Sequence, residues 1–215
     1  MRTIALFGGT GGLGSQLQEL LKEKYNVISI GSKTVNVVDY NQVNEFFNQN
    51  KVDIVINLSG YNFDCFAHKY TESNYSEIQK QIDINVKGTI NIVSSCLNHM
   101  RSQNYGRIIL ASSILAAQPV ISTSVYSGCK GFIDSYVRTI SIENAAKDVT
   151  CNSLQLGYFD GGLTYKIKED FREGIKNTIP VKRWGTIQEL YNTVEYLIQT
   201  GYVTGQNIKI AGGII

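Results

Sequence analysis

Thr3-Ile4-Ala5-Leu6-Phe7-Gly8-Gly9-Thr10-Gly11-Gly12-Leu13-Gly14 opens the chain and decides how the rest is read. Thr3–Phe7 is an apolar run of strand length, and the segment Ser15–Lys24 carries Leu17, Leu20 and Leu21 at helical spacing. A strand, a glycine-rich turn and a helix in that order form the setting that binds a dinucleotide pyrophosphate. Glycines allow the tight turn and the close backbone approach, and free N–H groups at the helix N-terminus meet the negative charge. Two spacings fit the turn. Gly8, Gly12 and Gly14 read as G-x-x-x-G-x-G, while Gly8, Gly11 and Gly14 read as G-x-x-G-x-x-G.

Outward from that unit, strand and helix patterns alternate. Strands are predicted at 3–7, 26–30, 52–58, 106–111, 149–154 and 207–210. Helices are predicted at 12–24, 41–49, 74–101, 124–147 and 186–199, with a shorter one near 166–177. Val52-Asp53-Ile54-Val55-Ile56-Asn57-Leu58 is the near-continuous apolar run of a strand covered on both faces. Thr186-Ile187-Gln188-Glu189 is a capping box that starts the last long helix. The alternation predicts an α/β fold with a doubly wound, mostly parallel sheet and helices on both faces. No repeat, low-complexity tract or linker divides it, so residues 1–215 read as a single domain.

Composition excludes several function classes. Charged residues make up 18% and the net charge is +2, with no basic block, which gives no case for nucleic acid or a membrane surface. No segment approaches the ~18 apolar residues of a membrane span, and no signal peptide is visible, so a cytoplasmic protein is expected. Cys65, Cys96, Cys129 and Cys151 show neither C-x-x-C nor metal-like spacing with His68 and His99, so no metal site is expected.

Tyr126-Ser127-Gly128-Cys129-Lys130 carries the candidate chemistry. A tyrosine and a lysine four apart on a helix share one face. An ammonium beside a phenol favours the phenolate, which is expected to lower a pKa that is ordinarily about 10. Such a phenol can give a proton to a ketone oxygen or take one from an alcohol. Arg107–Ala111 reads as a buried strand leading into Ser112-Ser113, and open α/β sheets carry their chemistry at the carboxyl ends of strands.

These motifs together resemble the short-chain dehydrogenase/reductase family in its compact form, over roughly residues 2 to 213. The family's T-G-x-x-x-G-x-G is matched by Phe7–Gly14, with Phe7 for the threonine, and its N-N-A-G by Asn57-Leu58-Ser59-Gly60. The catalytic set falls on Asn85, Ser113, Tyr126 and Lys130. Asn152–Thr164 resembles N-x-x-x-P-G-x-x-x-T, with Leu156 and Gly161 at the proline and threonine positions. Ile179–Gly185, Tyr202-Val203-Thr204-Gly205-Gln206 and Gly212-Gly213 resemble the closing motifs. Order and spacing are most similar to bacterial 3-oxoacyl-carrier-protein reductases.

The resemblance implies a Rossmann domain and a carbonyl/alcohol substrate exchanging hydride with NAD(P). It implies cofactor contacts at Gly8, Thr10, Gly11, Gly12, Leu13, Gly14, Asn57, Ser59, Gly60, Tyr126, Lys130, Gly157 and Phe159, and a homodimer or homotetramer built on the helices at 74–101 and 124–147. Ile133, Val137 and Ile140 fit such an interface or the core equally well. Family members place a helix between the second and third strands. Here Val35-Asn36-Val37-Val38-Asp39 begins four residues after Ile30, too soon for a crossover of about a dozen residues. A trimmed sheet edge is expected, with 35–38 a short strand or extended loop delivering Asp39 to the adenine. A carboxylate at the end of the second strand would select NAD, but that corner reads Gly31-Ser32-Lys33. Ser32 and Lys33 favour NADP, with NAD as the alternative. A nucleotide sensor or scaffold with little catalysis is the competing reading, and the complete set of four argues against it.

Overall fold

A computed structural model describes residues 1–215, the side chain of Lys166 excepted. Along β1 (Thr3–Phe7) successive side chains point to opposite faces of the sheet, and both faces are buried. Ala5 and Phe7 join one core with Val43, Phe47, Ile92 and Val137. Ile4 and Leu6 join another with Leu17, Leu21, Leu190 and Val194. A strand apolar on both sides therefore has helices on both sides. α2 (Tyr40–Gln49), α4 (Gly88–Ser102) and α5 (Ser124–Asn144) cover the first face. α1 (Gly12–Leu21) and α7 (Ile187–Gln199) cover the second.

The sheet has the order β2-β1-β3-β4-β5-β6, with β2 Asn26–Ile30, β3 Ile54–Asn57, β4 Gly106–Ser113, β5 Val149–Leu156 and β6 Asn207–Ile210. Every pairing is parallel. The chain leaves β1 for β2 on one side and returns to β3 on the other, so the order reverses between β1 and β3. Beyond the carboxyl ends of these strands such a reversal leaves a crevice.

Residues 31–39 form turns with no helix, and β2 is the sheet edge. Of the two expected forms the segment takes the loop. Val35 and Val37 are buried in the first core, and Asn91 of α4 donates to the Val37 carbonyl at 2.9 Å. Two valines and one amide thus hold a stretch too short to cross over.

The helix expected at 74–101 is interrupted. α3 spans Tyr75–Ile82, a π-helical turn runs Asp83–Lys87, and α4 follows. The cause is local: the Asn85 amide donates to the Gln81 carbonyl at 2.8 Å, and the Thr89 hydroxyl donates to the Asn85 carbonyl at 2.8 Å. Side chains that enter the backbone ladder widen the turn, and such bulges cluster at functional sites. Elsewhere the capping box forms as expected, with Thr186 N–H donating to Glu189 Oε2 at 2.8 Å. The shorter helix is α6 (Glu169–Thr178). No helix among the described residues is long and apolar enough to cross a membrane.

Candidate active site

β1 delivers the glycine turn to the crevice. Gly8 has φ +77°, and a Cβ on Gly14 would fall 2.1 Å from the Gly8 carbonyl oxygen, so a side chain at 14 has no room. Gly11, the N-cap of α1, has no side chain to bond the first-turn N–H groups, which leaves them for an anion. This glycine cradle fits a diphosphate.

β4 and α5 deliver the candidate reactive groups. A cavity of about 330 Å3 is lined by Gly8, Gly11, Gly12, Leu13, Gly14, Gly60, Ser113, Tyr126, Lys130, Gly157 and Phe159, all expected from the sequence. Leu163 and Thr164, from the segment after β5, also line it. The Ser113 hydroxyl is close enough to the Tyr126 phenol to lower its pKa, and it accepts from Leu115 N–H at 3.1 Å. Lys130 Nζ donates to the Ala111 carbonyl at 2.9 Å and sits 5.5 Å from the Tyr126 ring centre.

The electrostatics differ from the sequence expectation. Burial pushes the Tyr126 phenol up to about 12, the Ser113 hydrogen bond pulls it down, and the charges of Asp64 and Cys129 add to the rise. Burial also brings the Lys130 ammonium down to about 8, opposed by Cys129 and Asp134. The phenol is raised, not lowered, because loss of water outweighs a cation that is itself desolvated and drawn to a carbonyl. At neutral pH this phenol holds its proton.

The remaining expected residues lie behind or beside the cavity. Asn85 is 1% exposed, its amide donating to the Tyr61 carbonyl at 2.7 Å. Asn57 ties β3 to α4 through Thr89 Oγ1 at 3.3 Å and accepts from Ser59 N–H at 3.0 Å. A Cβ on Gly31 would meet Thr10 Oγ1, so Thr10 closes the end of β2. Ser32 and Lys33 are exposed at that corner. Asp39 caps α2 by accepting from Asn41 and Gln42 N–H at 2.9 and 3.2 Å. Phe7, at the threonine position of the motif, is a core residue against Phe46 and Phe47. Ile133, Val137 and Ile140 are also core. His68 is exposed, its ring 5.5 Å from that of Phe66 and tilted 46° to it.

Three residues were missed from sequence. Asp64 lies close enough for its charge to act on both Tyr126 and Tyr158. Asp134 follows Lys130 by one turn and accepts from Ser153 Oγ and Gln155 Nε2 at 2.7 and 2.6 Å. Gln81 is fully buried four residues before Asn85. The spacing of four was the available signal for the last two.

Comparison with known proteins agrees with this geometry. The family model described as enoyl-(acyl carrier protein) reductase matches residues 12–215. The chain belongs to the short-chain dehydrogenase/reductase family. It is accordingly an oxidoreductase of the CH–OH/C=O class working with NAD(P). Nodulation protein G of Azospirillum brasilense is 30% identical over 165 residues, covering 76% of this chain and 66% of that protein. The 3-oxoacyl-[acyl-carrier-protein] reductase FabG of Rickettsia felis is 28% identical over 236 residues, covering 100% of this chain and 97% of that protein. Among solved structures, ElxO with NADP bound has a TM-score of 0.88 at 20% identity, over 99% of this chain and 98% of that one. That likeness speaks for the fold.

Proposed function

We propose that this short-chain dehydrogenase/reductase reduces a ketone to an alcohol with NADPH, using Tyr126 as the acid. The observation that carries the reading is one cavity holding the glycine turn, Ser113, Tyr126 and Lys130 together. NADPH bound there supplies the hydride. Gly8 to Gly14 hold the diphosphate, and the backbone from Gly157 to Phe159 holds the carboxamide end. Ser113 orients the substrate oxygen and steadies its developing charge. Tyr126, its phenol kept protonated by burial, gives that oxygen a proton. Lys130 and Asn85 hold the path by which the proton is replaced. A phenol pushed up to about 12 favours reduction over alcohol oxidation.

Support for NADPH over NADH is the corner after β2, where Ser32 and Lys33 are exposed and no carboxylate stands between Gly31 and Lys33. ElxO, of the same fold, binds NADP. Relatives named 3-oxoacyl-[acyl-carrier-protein] reductase and acetoacetyl-CoA reductase make 3-oxoacyl thioesters the first substrates to test. Ile90 on α4 and Ile142 on α5 are exposed, which supports a homodimer or homotetramer through these helices.

The test is NADPH consumption with acetoacetyl-CoA and a panel of ketones. Tyr126→Phe should lose at least about a thousandfold in kcat, the range of an essential acid, while the Kd for NADPH changes little. Retained turnover in that variant removes Tyr126 as the acid. Tight NADPH binding by the wild type with no turnover of any carbonyl favours the sensor reading instead.

A further inference from the structure

We propose that Gln81 is a positioning residue, whose side-chain amide clamps the loop Tyr61–Asp64 against the catalytic groups and so sets the substrate-side wall of the site. Its consequence for turnover rests on the function proposed above; the clamp itself does not.

Gln81 is 0% exposed, an unfavourable place for an amide unless it is bonded. Its Nε2 donates to the Phe63 carbonyl at 3.0 Å. One turn later, the Asn85 amide donates to the Tyr61 carbonyl at 2.7 Å, and Tyr61 N–H donates back to Asn85 Oδ1 at 3.4 Å. Gln81 lies in the last turn of α3 and Asn85 in the π-helical turn that follows, the Asn85 amide reaching the Gln81 carbonyl at 2.8 Å. The carbonyls these amides serve are two residues apart in a non-helical chain, a separation of roughly 6.5 Å. Residues 61–63 have no regular secondary structure, so no ladder serves these carbonyls. Two amides, one from α3 and one from the π-helical turn after it, therefore replace the missing ladder.

The clamp also meets the helix that carries the chemistry. The Gln81 backbone carbonyl accepts from the Asn85 amide and lies 3.9 Å from Cys129 Sγ, between Tyr126 and Lys130. The far side of the loop is pinned by Cys65 N–H to the Ser122 carbonyl at 2.9 Å, two residues before α5. The stretch held between these points includes Asp64, whose charge acts on Tyr126 and Tyr158. Packing does not explain the choice of glutamine. Gln81 Oε1 is buried with no partner among the described residues, and a methionine would fill the same space without that oxygen.

Hydrogen exchange without substrate or cofactor tests the clamp. In the wild type, the amides of Tyr61 and Cys65 should exchange at least about tenfold more slowly than those of residues 66–68, scaling with the equilibrium of opening. Gln81→Met should remove that protection while leaving α4 and α5 protected. Gln81→Glu keeps one donor only when protonated, so its loop should be protected at about pH 5 and exchange freely at about pH 8. With acetoacetyl-CoA, Gln81→Met should raise KM about tenfold at unchanged NADPH Kd. Unchanged protection at 61 and 65 in a folded Gln81→Met protein overturns the proposal. If neither variant folds, fast exchange at both positions in the wild type overturns it. Protection that behaves as expected in a protein with no turnover leaves the clamp standing and refutes the proposed reduction.

Discussion

Lys130→Met should stabilise the fold at neutral pH while abolishing turnover. The ammonium is 3% exposed and its pKa falls from 10.5 to about 8 in the folded chain. A lysine whose folded pKa is depressed penalises folding while it is charged. The penalty is fully present below pH 8 and disappears as pH rises through 10.5. From the two pKa values, the cost is about 3 kcal/mol at pH 7 and about 1 kcal/mol at pH 9.5. Methionine removes it and also removes the bond to the Ala111 carbonyl, which costs about 1–2 kcal/mol at either pH. The variant should thus gain about 1–2 kcal/mol at pH 7 and lose about 2 kcal/mol of that advantage by pH 9.5. Titrating groups away from this site are common to both proteins and cancel, whereas Cys129, which the Lys130 charge pulls down, should ionise at higher pH in the folded variant. Urea unfolding of both at the two pH values is the assay. A variant-minus-wild-type difference that does not change with pH refutes the account of a desolvated lysine. The underlying trade is a buried cation kept for chemistry at the expense of stability.

Other outcomes follow from the same geometry. Because burial pushes Tyr126 up to about 12, ketone reduction should be flat below pH 8 and fall above it as Lys130 loses its charge, while alcohol oxidation should gain relative to reduction from pH 7 to 9, read from initial rates in both directions. Lys33→Glu should weaken NADPH about tenfold or more and leave NADH within about twofold, by titration of nucleotide fluorescence, since only the 2′-phosphate meets the new charge. Gly14→Ala should abolish NADPH binding and cost several kcal/mol of stability, roughly the range of severe steric strain, because its Cβ would fall 2.1 Å from the Gly8 carbonyl oxygen. Wild-type-like binding and melting in that variant would show that the turn is not so tightly closed.

What could be read from the chain alone was what depends on local order. Periodicity marked the strands and most helices, the four residues between Ile30 and Val35 ruled out a crossover helix, and Thr186 with Glu189 marked a helix start. The glycine turn and the Tyr126/Lys130 pair are likewise local patterns, and Ser113 follows from where its strand ends. Burial and partners were decided by packing. Val137 became core instead of interface because it faces the sheet. The Tyr126 phenol rose because burial takes water away from it, a quantity that no spacing contains. Asp64 and Gln81 acquired their places only when a loop without secondary structure was folded over α5 and bonded to α3. Sequence determines which groups are neighbours along a helix or strand. Which groups lose their water, and which distant carbonyl an amide must serve, is settled only when separate elements close on one another.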